Sequence, residues 1–383
     1  METVKGFSDY TGEQAAKRAA VRKIIEETFQ LYGFEPAETP IIEQESFVKG
    51  DNTQDEAVSD IFKLQDKGKR KLALRYEFTF QLKRIAKNKK LPYKRYQIGP
   101  VFRDEPVSST RFRQFTQCDV DIIGSSIKDE AEVLATIQTI ADKLEIKLNI
   151  CINNRKLLNE ILEKEGVKKK QEVIREIDKL DKLPEAEIKK NLKQYKAEKL
   201  VQIFKKPETY FEKYESYKEI KLLKKLCKDY NLQVKFQPSL ARGLSYYNGT
   251  VFEAKTKDKK ESVVGGGAFM INGIQAIGYG SGLERWCSFA ETTPTQINYI
   301  IISINQDKTA IKLAQKLRAA GNSAIIFYGK PSKALQYANS KNIQSAIFIG
   351  DKEVKSKTFK VRNLETGKEK LISEKELLNP RGS

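Results

Sequence analysis

The sequence contains no histidine. That absence removes Ser-His-Asp hydrolases, HExxH metalloproteases, His-ligated metal centres and every mechanism with an imidazole general base. The four cysteines, Cys118, Cys151, Cys227 and Cys287, stand far apart with no CxxC spacing. They exclude a zinc knuckle and a disulfide framework and point to a reducing, cytoplasmic compartment. No apolar run is long enough to span a bilayer, and Glu2-Thr3-Val4-Lys5 after Met1 offers no secretory segment, so no membrane association is expected. Internal repeats and low-complexity linkers are missing too. Arginine is scarce, supplying 16 of the 70 basic residues.

What is abundant is charge. At 32% charged and 39% hydrophobic, 383 residues can bury two or three cores. The net +19 is unevenly placed: residues 151–230 carry 22 basic and 15 acidic residues, residues 297–379 carry 15 and 7, and the remaining body, 1–150 with 231–296, carries 32 and 29. Two basic appendages on a nearly neutral body suggest a polyanionic partner gripped away from the chemistry. Solvated faces of a lysine-rich chain are the plainer alternative. Because lysine serves wherever a solvated charge suffices, arginine marks places that need a planar, permanently charged fork. Arg75, Arg103, Arg111, Arg113, Arg242 and Arg285 fall in short segments rich in glycine or aromatics, the pattern of a phosphate-handling site.

Hydrophobic periodicity predicts a helix over 12–32 stopped by Gly33, extended segments near 39–43 and 72–77, and a helix near 79–88. Residues 95–103 and 112–124 read as an antiparallel strand pair around a polar loop, and 127–145 as a helix. The stretch 153–230 is almost wholly helical in period, broken at Pro184 and Pro207, and has the texture of an insertion. Strands return at 233–236, 250–255, 262–268 and 274–279. From 297 the order β-α-β-α-β predicts a small parallel α/β domain. Pro380-Arg381-Gly382-Ser383 resembles the remnant of a cleaved tag.

Three segments carry the chemistry. YQIGPVFRDEP (96–106) with RFRQFTQCDVDIIG (111–124) places arginines on both sides of a loop, where they could grip nucleotide phosphates while Phe115 stacks on the base and Glu105 accepts from an exocyclic amine; an ordinary charged hairpin is the alternative. LARGLSYYNGTVFEA (240–254) sets Tyr246 and Tyr247 beside Arg242, suited to a polar ligand or to a core strand with one aromatic face. VVGGGAFMINGIQAIGYGSGLERW (263–286) has three consecutive glycines permitting close backbone approach, and Arg285 opening a helix.

In this order the segments resemble the histidyl-tRNA synthetases, class II aminoacyl-tRNA synthetases, across nearly the whole chain. GFEPAETPII resembles motif 1, GPVFRDE through QCDVDIIG motif 2 in its archaeal and eukaryotic form, and GYGSGLERW motif 3. ARGLSYYNGTVFE is similar to the signature of the histidine enzymes, and SKALQYANSKNIQSAIFIGDKEV to their anticodon-binding domain. The resemblance implies an α+β fold: a catalytic domain on an antiparallel six-stranded sheet (1–150 and 231–296), a helical insertion (151–230), an anticodon-binding α/β domain (297–379), and a homodimer. It implies ATP, Mg²⁺, L-histidine and tRNA(His) as substrates and partners. Glu77, Thr79 and Gln117 would hold the amino group of histidine; Asp121, Tyr246 and Tyr247 would face its imidazole. Arg103 would grip the α-phosphate, Arg111 and Arg285 the outer phosphates, and Phe115 would stack on adenine. Arg242 is the implied catalytic arginine.

Two departures stand out. Ala268-Phe269-Met270 replace a usual Arg-Tyr-Asp, and Ser245 sits where aspartate is commoner. Thr116 occupies a position often held by histidine or tyrosine. A non-catalytic regulatory subunit, which would lose such groups, and a tRNA-binding protein without ligase activity are the rival readings.

Overall fold

Alternation along two long strands organises the larger part of the molecule. In the computed structural model, which describes residues 2–50, 58, 60–108, 111–180, 183–242, 246–256, 262–291 and 297–378, the chain divides into two units, Met1–Thr293 and Pro294–Ser383. In the first unit the strands are β1 (Glu35–Pro36), β2 (Ile42–Gln44), β3 (Lys63–Gln65), β4 (Lys71–Leu74), β5 (Tyr93–Phe102), β6 (Gln114–Ile123), β7 (Leu148–Asn154), β8 (Val234–Phe236), β9 (Tyr247–Thr256), β10 (Ser262–Ile271) and β11 (Ile274–Gly282). The main sheet runs β1-β5-β6-β11-β10-β9-β7-β8 among the described residues. Its inner six strands are antiparallel throughout, as expected, while β1 and β8 extend the edges by parallel pairing with β5 and β7. β8 falls in the strand expected at 233–236, whereas β1, only two residues long, is too short for a period to show. A small sheet, β2-β4-β3, stands beside it.

One face of the main sheet is covered by helices. Gly12–Leu31 turns Val21, Ile25 and Phe29 inward at helical spacing and ends at Gly33, whose φ of +75° requires the left-handed region. Ile127–Lys143 is anchored by a capping box in which Ser126 and Asp129 exchange hydrogen bonds. Both pack on Cys118, Val120 and Ile122 of β6 in one continuous core. The insertion contributes to that same core through Leu157, Ile161, Val173, Ile177 and Leu223. Its two prolines do more than break helices: Pro184 and Pro207 directly precede Glu185–Lys193 and the 3₁₀ turn Glu208–Lys213, where a missing N–H costs nothing.

The second unit is a five-stranded sheet in the order β13-β12-β14-β15-β16, from β12 (Tyr299–Ser303), β13 (Ala324–Tyr328), β14 (Ser345–Ile349), β15 (Thr358–Asn363) and β16 (Glu369–Ser373). The first three are parallel, as predicted. Ile301 faces one core with Leu313, Leu317 and Ile347, whereas Ile300 and Ile302 face another with Ala334, Ala338 and Ala346. This is why the continuous run INYIIISI reads as a strand buried on both sides. The antiparallel pair β15 and β16 escapes the sequence reading because its lysines and glutamates, suited to an exposed sheet edge, mask the alternation. Among the described residues no helix is long and apolar enough to cross a membrane, and all four cysteines are free.

Candidate active site

Every second residue of β6 points away from the helix-covered core. Phe115, Gln117, Asp119 and Asp121 therefore share the open face. Register brings Arg95, Gln97 and Gly99 of β5 opposite Asp121, Asp119 and Gln117, and Gly278, Gly280 and Gly282 of β11 opposite the same three. The glycines at alternate positions of GYGSG leave this face uncrowded: a Cβ at Gly278 would stand 2.2 Å from Asp121 Oδ1. All twelve side chains singled out for the site (Glu77, Thr79, Arg103, Glu105, Arg111, Phe115, Gln117, Asp121, Arg242, Tyr246, Tyr247 and Arg285) line one cavity of about 320 Å³ above these strands.

Four arginines line the cavity. Arg103 lies over the Phe115 ring at 5.1 Å, donates to the Tyr76 carbonyl at 3.1 Å, and stands 3.9 Å from Glu105. Arg111 is 3.8 Å from Glu105, with its side chain 62% exposed. Arg285 donates to the Ser262 carbonyl. Arg242 lies across β10, where Gly265 makes room: a Cβ there would stand 2.2 Å from Arg242 Nη1. Arg242 Nη1 donates to Glu253 Oε1 at 2.7 Å. Burial pushes the Glu253 carboxyl up, but Arg242, Lys255 and the Ser262 hydroxyl outweigh it and hold the group at about 2. Burial likewise opposes charge on Arg242, and its neighbours Tyr247 and Glu253 reverse that, so the guanidinium is firmly cationic.

The cavity is also bordered by a buried polar cluster. Asp121 Oδ2 pairs with Arg95 at 2.5 Å, both side chains nearly inaccessible to solvent. Burial raises the Asp121 carboxyl to about 6 against the pull of Arg95. Asp119 accepts from Gln117 Nε2 at 2.6 Å, and burial drives its carboxyl well above the usual range, opposed by Arg95. Gln117 thus turns its amide nitrogen to Asp119 and leaves its oxygen toward the cavity, where Arg103 Nη2 donates to it at 3.4 Å. Glu77 is buried, and Thr79 opens the helix Thr79–Ile85. Tyr246 and Tyr247 lie with ring centroids 4.7 Å apart, and Tyr246 meets Phe269 edge-on at 5.6 Å. Burial raises both tyrosine hydroxyls, so they are neutral donors.

Two of the six arginines do not belong to the site. Arg75 is buried, donating to the carbonyls of Pro100 (2.8 Å) and Thr39 (2.7 Å), so it ties β5 to the segment before β2 instead of facing the cavity. Arg113 pairs with Asp104 at 3.0 Å and donates to the Glu105 carbonyl, bracing the loop from behind. Of Ala268, Phe269 and Met270, only Phe269 lines the cavity; Ala268 is packed in the core on the covered face, and Met270 is 45% exposed. Thr116 also faces the covered side. Its N–H donates to Glu284 at 3.0 Å and its hydroxyl accepts from Arg18 at 3.1 Å, while Arg18 donates to Glu284 at 2.9 Å. This knot ties the helix Leu283–Phe289, β6 and the helix Gly12–Leu31 together without an imidazole. Gly243 and Ser245 lie outside the described residues.

Sequence reasoning did not single out Arg95, Asp119, Glu253 or Glu284. The signal was available for Asp119, which shares the period of two with Gln117 and Asp121.

Comparison with known proteins agrees with this geometry. A family profile described as Histidyl-tRNA synthetase matches residues 6–285, and one described as Anticodon binding domain matches residues 296–379. The chain is 33% identical to histidine–tRNA ligase 1 of Bacillus cereus over 413 aligned positions, covering 96% of each protein. It is 30% identical to histidine–tRNA ligase of Helicobacter pylori, covering 96% of this chain and 94% of that protein. The crystal structure of histidyl-tRNA synthetase from Nostoc sp. PCC 7120 superposes with a TM-score of 0.88 at 23% identity, over 99% of this chain and 98% of that one. A structure from Bacillus halodurans C, titled an ATP phosphoribosyltransferase regulatory subunit/histidyl-tRNA synthetase, gives 0.75 at 20% identity, over 91% and 97%.

Proposed function

The chain belongs to the histidyl-tRNA synthetase family, and from that premise we propose how its cavity works. The activity is histidine–tRNA ligation: ATP-dependent activation of L-histidine to the adenylate with release of pyrophosphate, then transfer to tRNA. One observation carries the site assignment. The cavity brings four arginines, Arg103, Arg111, Arg242 and Arg285, together with buried carboxylates and tyrosines in one lining. From Phe115 to Asp121 the open face of β6 spans about 20 Å at roughly 3.4 Å per residue, enough for adenine, phosphates and histidine laid end to end.

In this reading adenine stacks on Phe115, with Glu105 accepting from its exocyclic amine. Arg103 holds the α-phosphate; Arg111, the more exposed fork, and Arg285 hold the outer phosphates. Glu77, Thr79 Oγ1 and the outward oxygen of Gln117 accept from the ammonium group. Asp121 accepts an imidazole N–H, with Tyr246 and Tyr247 closing the pocket. Arg242, fixed by Glu253, bridges the carboxylate and the α-phosphate. The nucleophile is already an anion, so no general base is needed; positioning and charge stabilisation supply the rate, and a chain without histidine loses nothing. Among the described residues no three acidic or cysteine side chains converge on a metal position. Mg²⁺ would therefore arrive with ATP as co-substrate, its charge supplementing the arginines.

The basic segments 151–230 and 297–379 are assigned to tRNA(His), gripped through its phosphates. A homodimer in the cytoplasm completes the reading, supported by motif 1 and by the free cysteines. Incubation with labelled histidine, ATP and tRNA tests the assignment: histidine should become acid-precipitable on tRNA(His). The regulatory-subunit reading and the tRNA-binding reading both require none.

A further inference from the structure

The peptide leading into Arg242 is held from the helical insertion. Asp178, at the C-terminal cap of the helix Lys170–Ile177, accepts from the N–H groups of both Ala241 (3.1 Å) and Arg242 (2.8 Å) through one carboxylate oxygen. Arg155, 3% exposed, donates to the Ala241 carbonyl at 3.1 Å and is itself held by Gln171 Oε1 at 2.7 Å. From β7, the Asn153 amide donates to the carbonyls of Pro238 and Leu240, both at 2.8 Å. The segment is thus clamped at consecutive peptide groups.

Arg242 itself has a φ of +59°, a left-handed conformation uncommon for a residue with a side chain. Such a conformation persists where its surroundings over-determine it. Two successive N–H groups converging on one anion do that here. The outcome is the aim of the side chain: across β10 above Gly265 and onto Glu253.

We propose that Asp178 is a positioning residue for Arg242, so that the insertion, in addition to its surface charge, sets the geometry of the activation step. This rests on the reading of Arg242 as the bridge between carboxylate and α-phosphate. A guanidinium displaced by about 1 Å from its working position can cost on the order of 10²-fold in rate. Asp178 does not line the cavity; it acts on Arg242 by holding the backbone of Ala241 and Arg242.

The test is histidine-dependent ATP–pyrophosphate exchange by the full chain, with melting temperature recorded for each variant. Asp178→Ala should lower kcat on the order of 10- to 10²-fold, while the KM values for histidine and ATP move by less than about threefold. Asp178→Asn, whose amide oxygen can still accept both N–H groups, should restore most of kcat. Asp178→Glu keeps the charge but moves the oxygen by a methylene, and should be slower than Asp178→Asn. The double variant Asp178→Ala with Arg242→Lys should be no slower than Arg242→Lys alone, because both act through one group. A lowered melting temperature with unchanged kcat, multiplying losses in the double variant, or Asp178→Glu outperforming Asp178→Asn would each overturn the proposal. If Asp178→Ala does not fold, the order of Asn over Glu decides. Arg242→Lys at the wild-type rate would instead refute the reading of Arg242 itself, whatever Asp178 does.

Discussion

The two faces of β6 are about equally buried and differ in everything else. On the covered face Cys118, Val120 and Ile122 are inaccessible and join the apolar core shared with the helices. On the open face Gln117, Asp119 and Asp121 are 6%, 3% and 3% exposed, yet they are held by an amide, a neighbouring arginine and strands of glycine. Burial alone therefore does not identify a core. A buried carboxylate is costly unless paired, so a strand that buries two at successive same-face positions sacrifices stability for something else. The covered face maintains the fold; the open face is shaped for ligands.

The largest expected effect comes from removing the cation of the open face. Arg95→Met leaves Asp119 and Asp121 buried without it and should cost ~3–5 kcal/mol of stability at pH 8. Asp121 already titrates near 6 with Arg95 present, so below that pH it takes a proton in the variant and the cost should shrink. Urea denaturation at pH 8 and pH 5 reads both; a cost independent of pH contradicts the pairing.

Next is the buried carboxylate on the helix side. Burial raises Glu130 to about 7, with the Thr250 hydroxyl its hydrogen-bond donor. An acid raised in the folded state is penalised once it ionises, so stability should fall as pH rises from the unfolded value near 4.5 through 7. Glu130→Gln escapes that penalty and should gain up to about 3 kcal/mol at pH 8 and almost nothing at pH 4. Thermal melts across that range decide it, and an equal gain at both ends rules the explanation out.

Asp121→Asn then separates binding from folding on the open face. Losing a charged acceptor is worth about 1.5–3 kcal/mol, so the histidine KM should rise on the order of 10- to 10²-fold with the ATP KM unmoved. An unchanged histidine KM removes Asp121 from the imidazole pocket. The smallest effect belongs one residue away: Ile122→Val, on the covered face, should cost about 1 kcal/mol of stability and leave both KM values alone. A shift in either KM would erase the distinction between the faces.

The chemistry-bearing segments were legible in the sequence because a lysine-rich chain places its few arginines beside glycines and aromatics. Arg103, Arg111, Arg242 and Arg285 converge as that pattern implies. Arg75 follows the same local pattern and is structural, since nothing local tells a fork that grips backbone carbonyls from one that grips phosphate. Five of the inner six strands follow from period two; β7 was not read from the sequence, and β1 and β3 are too short to show a period. Partnerships across the chain were invisible. Asp178 lies 64 residues before Arg242, Arg18 lies 266 before Glu284, and only the fold brings them together.

The central claim is that the open face of this sheet activates histidine through Arg242. Exchange of labelled pyrophosphate into ATP at saturating histidine measures it directly. The account predicts exchange that requires histidine and falls on the order of 10²- to 10³-fold in Arg242→Lys, with the melting temperature unchanged, because lysine keeps the charge and loses the fork. Exchange without histidine, or a variant within a few-fold of wild type, would contradict it.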